Sequence, residues 1–338
     1  TGGYEVWHGG FMSDVTPKLG FGVVIANFDR KHGNDFFISN DGDLNHYWIS
    51  TPDSLDGIAS FKLRESGTLL GCSIGHGGNS QACMGVAFGD FNRDGTLDLH
   101  VTNFLKEPVN LFTQTANGTF IDEAMRYRVA DPSRDVLGFG TQAVDFDNDG
   151  WLDLAVLNGH VFDGRIDDLP FRMQPQVMRG SEQGFVLQSH QEVGDFWTRK
   201  SIGRTLAMLD WNRDGRMDLV ANHLDRPVAL LENQSEAKNW IQLELVGTTS
   251  ERDAIGAEVS IIANGERWTG WQTGGDGLMA TNEQILHFGV SESDLVETIE
   301  VHWPSGSTQV FENLPVNNRY LVIENREEIF SSNSSVMK

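Results

Sequence analysis

DFNRDGTLD at residues 90–98, DFDNDGWLD at 145–153 and DWNRDGRMD at 210–218 put oxygen-bearing side chains at positions 1, 3, 5 and 9 of a nine-residue loop, with glycine at position 6. Glycine at position 6 suits a sharp turn that needs positive φ. Alternate hard oxygens on one face are what a calcium ion asks for, six to eight of them in a flexible shell, and a main-chain carbonyl from position 7 is expected to add one more. An EF-hand would need a helix on each side and Glu at position 12. Here the flanks are VAFGD and LDLHVTN, AVDF and LDLAVLN, AMLDW and MDLVAN, apolar and β-branched runs too short for helices. Each loop therefore joins two strands.

A fourth copy, NFDRKHGND at 27–35, departs from the pattern. Asn27, Asp29 and Asp35 fit positions 1, 3 and 9, but Lys31 stands at position 5 and the glycine is displaced to Gly33. An ammonium among those oxygens neutralises the loop by itself, so this copy is expected to bind a cation weakly or not at all. The four starts, at 27, 90, 145 and 210, are 63, 55 and 65 residues apart, room for one small sheet each. The second interval shows the pattern as MGVAFGD, LDLHVTN, PVNLFTQ and GTFIDEA, with an Asn117-Gly118 turn between the last two. The third repeats it as GTQAVDF, LDLAVLN, QVMRG and GFVLQS, and the fourth stops after PVALLEN. Four short strands per repeat read as propeller blades whose faces are buried against their neighbours. Sequence leaves open whether four blades close a ring or further blades belong with them.

The loops with their flanks resemble the FG-GAP or VCBS repeats of integrin α-chain propellers. The order of segments is similar to that of the ASPIC and UnbV family, which includes cartilage acidic protein. The residues that carry the likeness are 84–104, 145–161 and 210–233, then RDAIGAEV (252–259), HFGV (287–290) and VHWPSG (301–306). The resemblance implies calcium ligands at Asp90, Asn92, Asp94 and Asp98, at Asp145, Asp147, Asp149 and Asp153, and at Asp210, Asn212, Asp214 and Asp218, the residues that the spacing picks out independently. It also implies an all-β chain: propeller repeats over 1–235, an ASPIC/UnbV-like β domain over 236–326 and a disordered tail over 327–338.

The second half of that expectation has its own support. After Asn233, the segments NWIQLELVG, AEVSIIA, ERWTGWQTG, QILHFGV, VETIEVHW, STQVFENL and RYLVIEN read as about seven strands, broken at Asn264-Gly265, Gly274-Gly275 and Pro304-Ser305-Gly306. That spacing favours a sandwich. The closing FSSNSSVMK lacks periodicity and is expected to be disordered.

A net charge of -23 over 338 residues disfavours nucleic acid and anionic membrane surfaces, both of which call for a basic face. Three divalent ions would cancel six of those charges, and the remainder reads as a solubilising surface. No run of 18 apolar residues offers a membrane-spanning helix. A chain that opens at Thr1 is expected to have lost a leader, which places it outside the cytoplasm, secreted, periplasmic or on the cell surface. In an oxidising compartment Cys72 and Cys83, flanking SIGHGGNSQA, are expected to form a local disulfide contributing roughly 3 kcal/mol.

Signs of an enzyme are few. GHGG (75–78), NGH (158–160) and QSHQE (188–192) supply histidines, but there is no nucleophile elbow, HExxH or phosphate loop. The leading expectation is a calcium-binding scaffold that presents a surface to a protein or glycan partner, with membership of a hetero-complex as a further expectation. The alternative is an enzyme acting on carbohydrate or a secondary metabolite at the propeller axis. An axial pocket bearing His, Asp and Arg would favour the enzyme; a broad exposed apolar patch would favour docking.

Overall fold

The computed structural model describes residues 16–331, apart from 32, 56, 57 and 164–169 and the side chains of 53–61. It is all-β. Strands Gly20–Ala26, Asp35–Asp43, His46–Leu55 and Ile58–Glu65 form the first antiparallel meander, with Gln81–Ala82 added alongside the second strand. The second meander is Val86–Gly89, Asp98–Val101, Asn110–Gln114 and Phe120–Asp122. Gly138–Val144, Asp153–Asn158, Gln176–Arg179 and Val186–Leu187 make the third, and Gly203–Leu209, Asp218–His223 and Ala229–Leu231 the fourth. Every acidic loop links the first strand of a sheet to its second. The strands expected for the second, third and fourth repeats are all present.

The sheets stack in chain order, first strand beside first strand. A glycine five residues before each of the first three loops makes this possible. A Cβ on Gly22 would lie 2.6 Å from the Met84 carbonyl oxygen, one on Gly85 2.1 Å from that of Phe139, and one on Gly140 2.6 Å from the Leu206 nitrogen. Backbone meets backbone there, and no side chain can turn aside. The fourth sheet, which no further meander follows, carries Thr205 at the equivalent place.

Residues 239–331 form two four-stranded sheets around a core of Ile241, Leu243, Val259, Ile261, Phe288, Ile299 and Val301, among others. One runs Leu286–Ser291, Asn239–Val246, Asn318–Ile323, Ile329–Ser331, and the other Glu266–Trp271, Glu258–Ala263, Leu295–His302, Thr308–Pro315. All seven expected strands are there. An eighth was missed: Ile329–Ser331 pairs with Asn318–Ile323, so residues 329–331 are a strand rather than part of the tail expected from 327, and 332–338 lie outside the described residues. The pairing of Asn239–Val246 with Asn318–Ile323 is parallel, a long-range contact that local pattern does not encode.

The disulfide expectation fails. Cys72 and Cys83 are free thiols, both buried in the apolar cluster shared by the first two sheets. Burial pushes both thiols up, Cys83 to about 12, so they act as small core hydrophobes.

One excursion of the C-terminal module ties the halves together. Residues 272–285, between Glu266–Trp271 and Leu286–Ser291, run past the first strands of all four meanders. Ile25 and Gly274 exchange backbone hydrogen bonds (2.8 and 2.9 Å), as do Val86 and Gly277 (2.9 and 2.6 Å). Asn282 Nδ2 donates to Gln142 Oε1 (2.9 Å), and Met208 N donates to Asn282 Oδ1 (2.9 Å). This segment crosses the edge on which the sheets converge and lines a pocket there.

Candidate metal loops and their setting

The loops are built alike, and position 9 holds them to the rest of the sheet. Asp98 Oδ2 accepts from Phe91 N and its Oδ1 from Gln114 N (3.1 and 2.8 Å). Asp153 accepts from Phe146 N and Gly180 N (3.2 and 2.8 Å), and Asp218 from Trp211 N and Asn233 N (3.0 and 2.7 Å). Asp35 does the same with Phe28 N and Ser50 N (3.2 and 2.8 Å). Each position-9 aspartate thus joins its loop to the third strand or to the residue or two after it, a structural role beyond any ligand role. It holds even in the first copy, where position 5 is Lys31.

Position 1 gathers the turn. Asp90 accepts from Asp94 N and Gly95 N (3.0 and 2.9 Å), Asp145 from Asp149 N and Gly150 N (3.1 and 2.8 Å), and Asp210 from Asp214 N and Gly215 N (3.1 and 2.9 Å). Position 6 has positive φ as expected, 81° at Gly95, 92° at Gly150 and 81° at Gly215. Position 4 has it too, at Arg30, Arg93, Asn148 and Arg213 (56 to 62°), which the sequence does not announce.

These carboxylates are held at a disadvantage. Burial, opposed by backbone hydrogen bonds and reinforced by neighbouring aspartates, pushes Asp90 and Asp153 up to about 7 and Asp98 and Asp145 well above the usual carboxylate range. Burial likewise raises Asp147 and Asp218. Buried charge of one sign calls for a counter-charge.

The third loop fits a cation best. Carboxylate oxygens of Asp145, Asp147 and Asp149 lie within 4.8 Å of one another, and Asp147 Oδ1 is buried with no hydrogen-bond partner. The guanidinium of Arg179 reaches Asp147 and lies 3.0 Å from Asp149 Oδ2. In the second and fourth loops an asparagine replaces one carboxylate, and Asn92 and Asn212 each donate to the position-5 aspartate (3.0 and 2.9 Å). In the first, Lys31 Nζ sits 3.0 Å from Asp29 Oδ2. The histidines raised as catalytic candidates are placed otherwise. His160 is buried between Phe104 and Phe162, its Nδ1 accepting from Phe162 N (3.0 Å) and its carbonyl from Arg204 (3.1 Å), which is packing rather than an open site. His190 lies in the Ser189–Glu192 turn.

Residues 247–329 match the family described as ASPIC and UnbV, and residues 90–156 match the FG-GAP-like repeat. The chain carries an ASPIC and UnbV module behind FG-GAP-like repeats. Cartilage acidic protein 1 of Xenopus tropicalis is 27% identical over 316 residues, covering 90% of this chain and 43% of that protein. The Mus musculus protein of the same name is 28% identical over 301 residues, covering 85% and 42%. This chain therefore spans about two fifths of the curated relatives it matches. Among solved structures, the exotype rhamnogalacturonan lyase YesX aligns over 87% of this chain and 65% of its own, at 11% identity and a TM-score of 0.24, too low to bear on fold or activity. Beside the ASPIC and UnbV module, the described residues contain no helix long and apolar enough to cross a membrane.

Two features of the site escaped sequence reading. Asp276, in the segment at the convergent edge, is a buried carboxyl that burial pushes up to about 8, accepting from Gly277 N and Asn282 Nδ2 (both 2.6 Å). Nothing around Asp276 in the sequence resembles the repeat. Arg179 is the other, because its approach to the third loop depends on the register of Gln176–Arg179 against Asp153–Asn158.

Proposed function

We propose that this chain is an extracytoplasmic calcium-binding module that works by binding rather than by turnover. The observation that carries the calcium reading is the third loop, three mutually close carboxylates with one buried oxygen left without a donor. Asp145, Asp147 and Asp149 would hold the ion there, with the equivalent residues of the second and fourth loops holding two more. The ion would supply positive charge where the fold has buried negative charge.

Docking is favoured over an axial active site by two placements. Residues 272–285 cross the convergent edge and line a pocket there whose Asp90, Asp145, Arg93 and His287 are all already bonded to the loops or to the module. The outer face of the first sheet, by contrast, is apolar and, among the described residues, uncovered. Val23 is 41% exposed, while Val86, Thr141 and Leu206, at the same place in the later sheets, are fully buried under the preceding sheet. Phe21 and Leu19 flank it, exposed as well. A face of that shape suits a protein surface, in particular another sheet of the same repeat.

Calorimetric titration with calcium tests the first part. About three ions are expected to bind, with Asp149→Ala weakening binding far more than Lys31→Ala. Arg179→Ala should tighten the third site several-fold, because the guanidinium competes for Asp147 and Asp149. Four equivalent sites, or an Arg179→Ala variant with weakened binding, would contradict this picture. For the second part, polysaccharide and glycoside substrates should show no turnover with or without calcium. Calcium-dependent turnover abolished by His160→Ala or His190→Ala, with melting unchanged, would overturn the binding reading.

A further inference from the structure

The position-4 residues point to the partner of the loops. With positions 1, 3 and 5 turned inward, position 4 turns out of the loop, and in all four copies it touches the C-terminal module. Arg30 Nε donates to Glu258 Oε2 (2.7 Å). Arg93 Nη2 donates to Glu266 Oε2 (2.9 Å), and its guanidinium lies 4.5 Å from the ring centre of Trp268 and 5.1 Å from that of Trp151. Asn148 Oδ1 is 2.8 Å from His287 Nε2, and its carbonyl accepts from Ser291 N (3.0 Å). Arg213 Nη2 lies 3.4 Å from Glu283 Oε1.

Other parts of the loops meet the module as well. Trp268 Nε1 donates to the carbonyl of Gly150 (3.0 Å), and Lys238 N to that of Asp147 (2.9 Å). Gln242 Nε2 donates to Asp210 Oδ2 (2.9 Å), a position-1 oxygen. A Cβ on Gly289 would fall 2.0 Å from Asp145 Oδ2, and one on Gly215 1.8 Å from Trp240 Cε2. The residues at these contacts come from four separate sheets, so the face they form exists only while all four loops keep their shape.

We infer that the acidic loops form a four-point clamp for the chain's own C-terminal module, so that calcium in the loops and docking of the module are one coupled equilibrium. This rests on the calcium reading above. An ion that orders positions 1, 3 and 5 of the second, third and fourth loops fixes the left-handed turn at position 4 there, and hence where Arg93, Asn148 and Arg213 point, while the Lys31 ammonium beside Asp29 takes that place in the loop of Arg30. By linkage the coupling runs both ways, and loss of a clamp residue must weaken calcium binding although it touches no ion.

Hydrogen exchange of the whole chain, run in parallel with calcium titration, separates the possibilities. Excess chelator should speed exchange of the amides in 266–271 and 286–291 relative to calcium, with the module's inner strands Val259–Ile261 still protected. The triple variant Arg30→Ala, Arg93→Ala, Arg213→Ala should show fast exchange at 266–271 even in calcium and bind calcium about 5- to 150-fold more weakly, the usual range of such coupling. Arg30→Ala alone, at a half-exposed side chain, gives a smaller shift of the same sign should the triple variant fail to fold. Calcium bound with parental affinity by these variants, or equal exchange in calcium and chelator while titration shows binding, would overturn the clamp and leave the calcium reading standing. A parent chain that binds no calcium would overturn both.

Discussion

In excess chelator at pH 8 the chain should melt about 10 °C below its calcium-loaded form, and the gap should shrink steadily as the pH is lowered to 5. Burial pushes Asp35, Asp90 and Asp153 up to about 7 and Asp98 and Asp145 well above the ordinary carboxylate value near 3.8. A carboxyl raised by folding favours the fold in its protonated form. Its contribution is therefore fully present below about pH 4 and is lost as pH climbs through about 7. A shift of three units corresponds to roughly 4 kcal/mol for one site, and at about 1.5 °C per kcal/mol for a chain of this size about two such sites give the expected gap. Calcium replaces the protons as counter-charge, so the loaded form should hold its melting temperature between pH 5 and 8. Glu324, which side-chain and backbone donors hold down at about 2 against burial, has the opposite sign and weakens the fold only in stronger acid, outside that window. Melting curves at pH 5, 6, 7 and 8, in calcium and in chelator, decide the matter. Coincident curves at pH 8 would remove calcium from the account of stability.

The parts of this molecule that were legible in its sequence are those written locally. A loop with acids at positions 1, 3, 5 and 9 and a turn glycine at 6 states its own geometry, and period-two runs on either side state their own strands, so the meanders and the module's strands could be read off. Position 4 could not, because Arg93 and Arg213 are ordinary surface residues in composition, and only the fold shows them in a left-handed turn against another domain. The same holds for Asp98, Asp153 and Asp218. Their spacing marks them as ligands, while their hydrogen bonds to Gln114, Gly180 and Asn233 depend on where the third strand lies. The cysteines misled for a related reason. Their spacing suits a bridge, but which way Cys72 and Cys83 face is decided by the packing of the first two sheets. Residues 272–285 carry the least local signal of all, being rich in Gly and short of apolar periodicity, yet they touch every meander.

Gly85→Ala should destabilise the chain by about 3 kcal/mol or more, at the upper end of what overpacking does, whereas Gly77→Ala should be neutral. Both add one methyl group. At Gly85 the new carbon would sit 2.1 Å from the Phe139 carbonyl oxygen and 3.3 Å from Thr102 Oγ1, while at Gly77 nothing lies within 4 Å. The neighbours of Gly85 are themselves fixed: Met84 N donates to Thr102 O (2.9 Å), Thr102 Oγ1 donates to Phe139 O (2.8 Å), and Val86 is bonded to Gly277 of the convergent-edge segment. Relief would require the second and third sheets to move apart along their first strands, exposing Ala87 and Phe139, which are now buried. Thr205 supplies the internal control. It occupies the same place in the fourth sheet, where no later meander approaches, and Thr205→Gly should change stability only by the conformational entropy of a glycine, about 1 kcal/mol. If Gly85→Ala melts within about 2 °C of the parent, the sheets are not held backbone to backbone, and the regular stacking described for the four repeats is wrong at its tightest point.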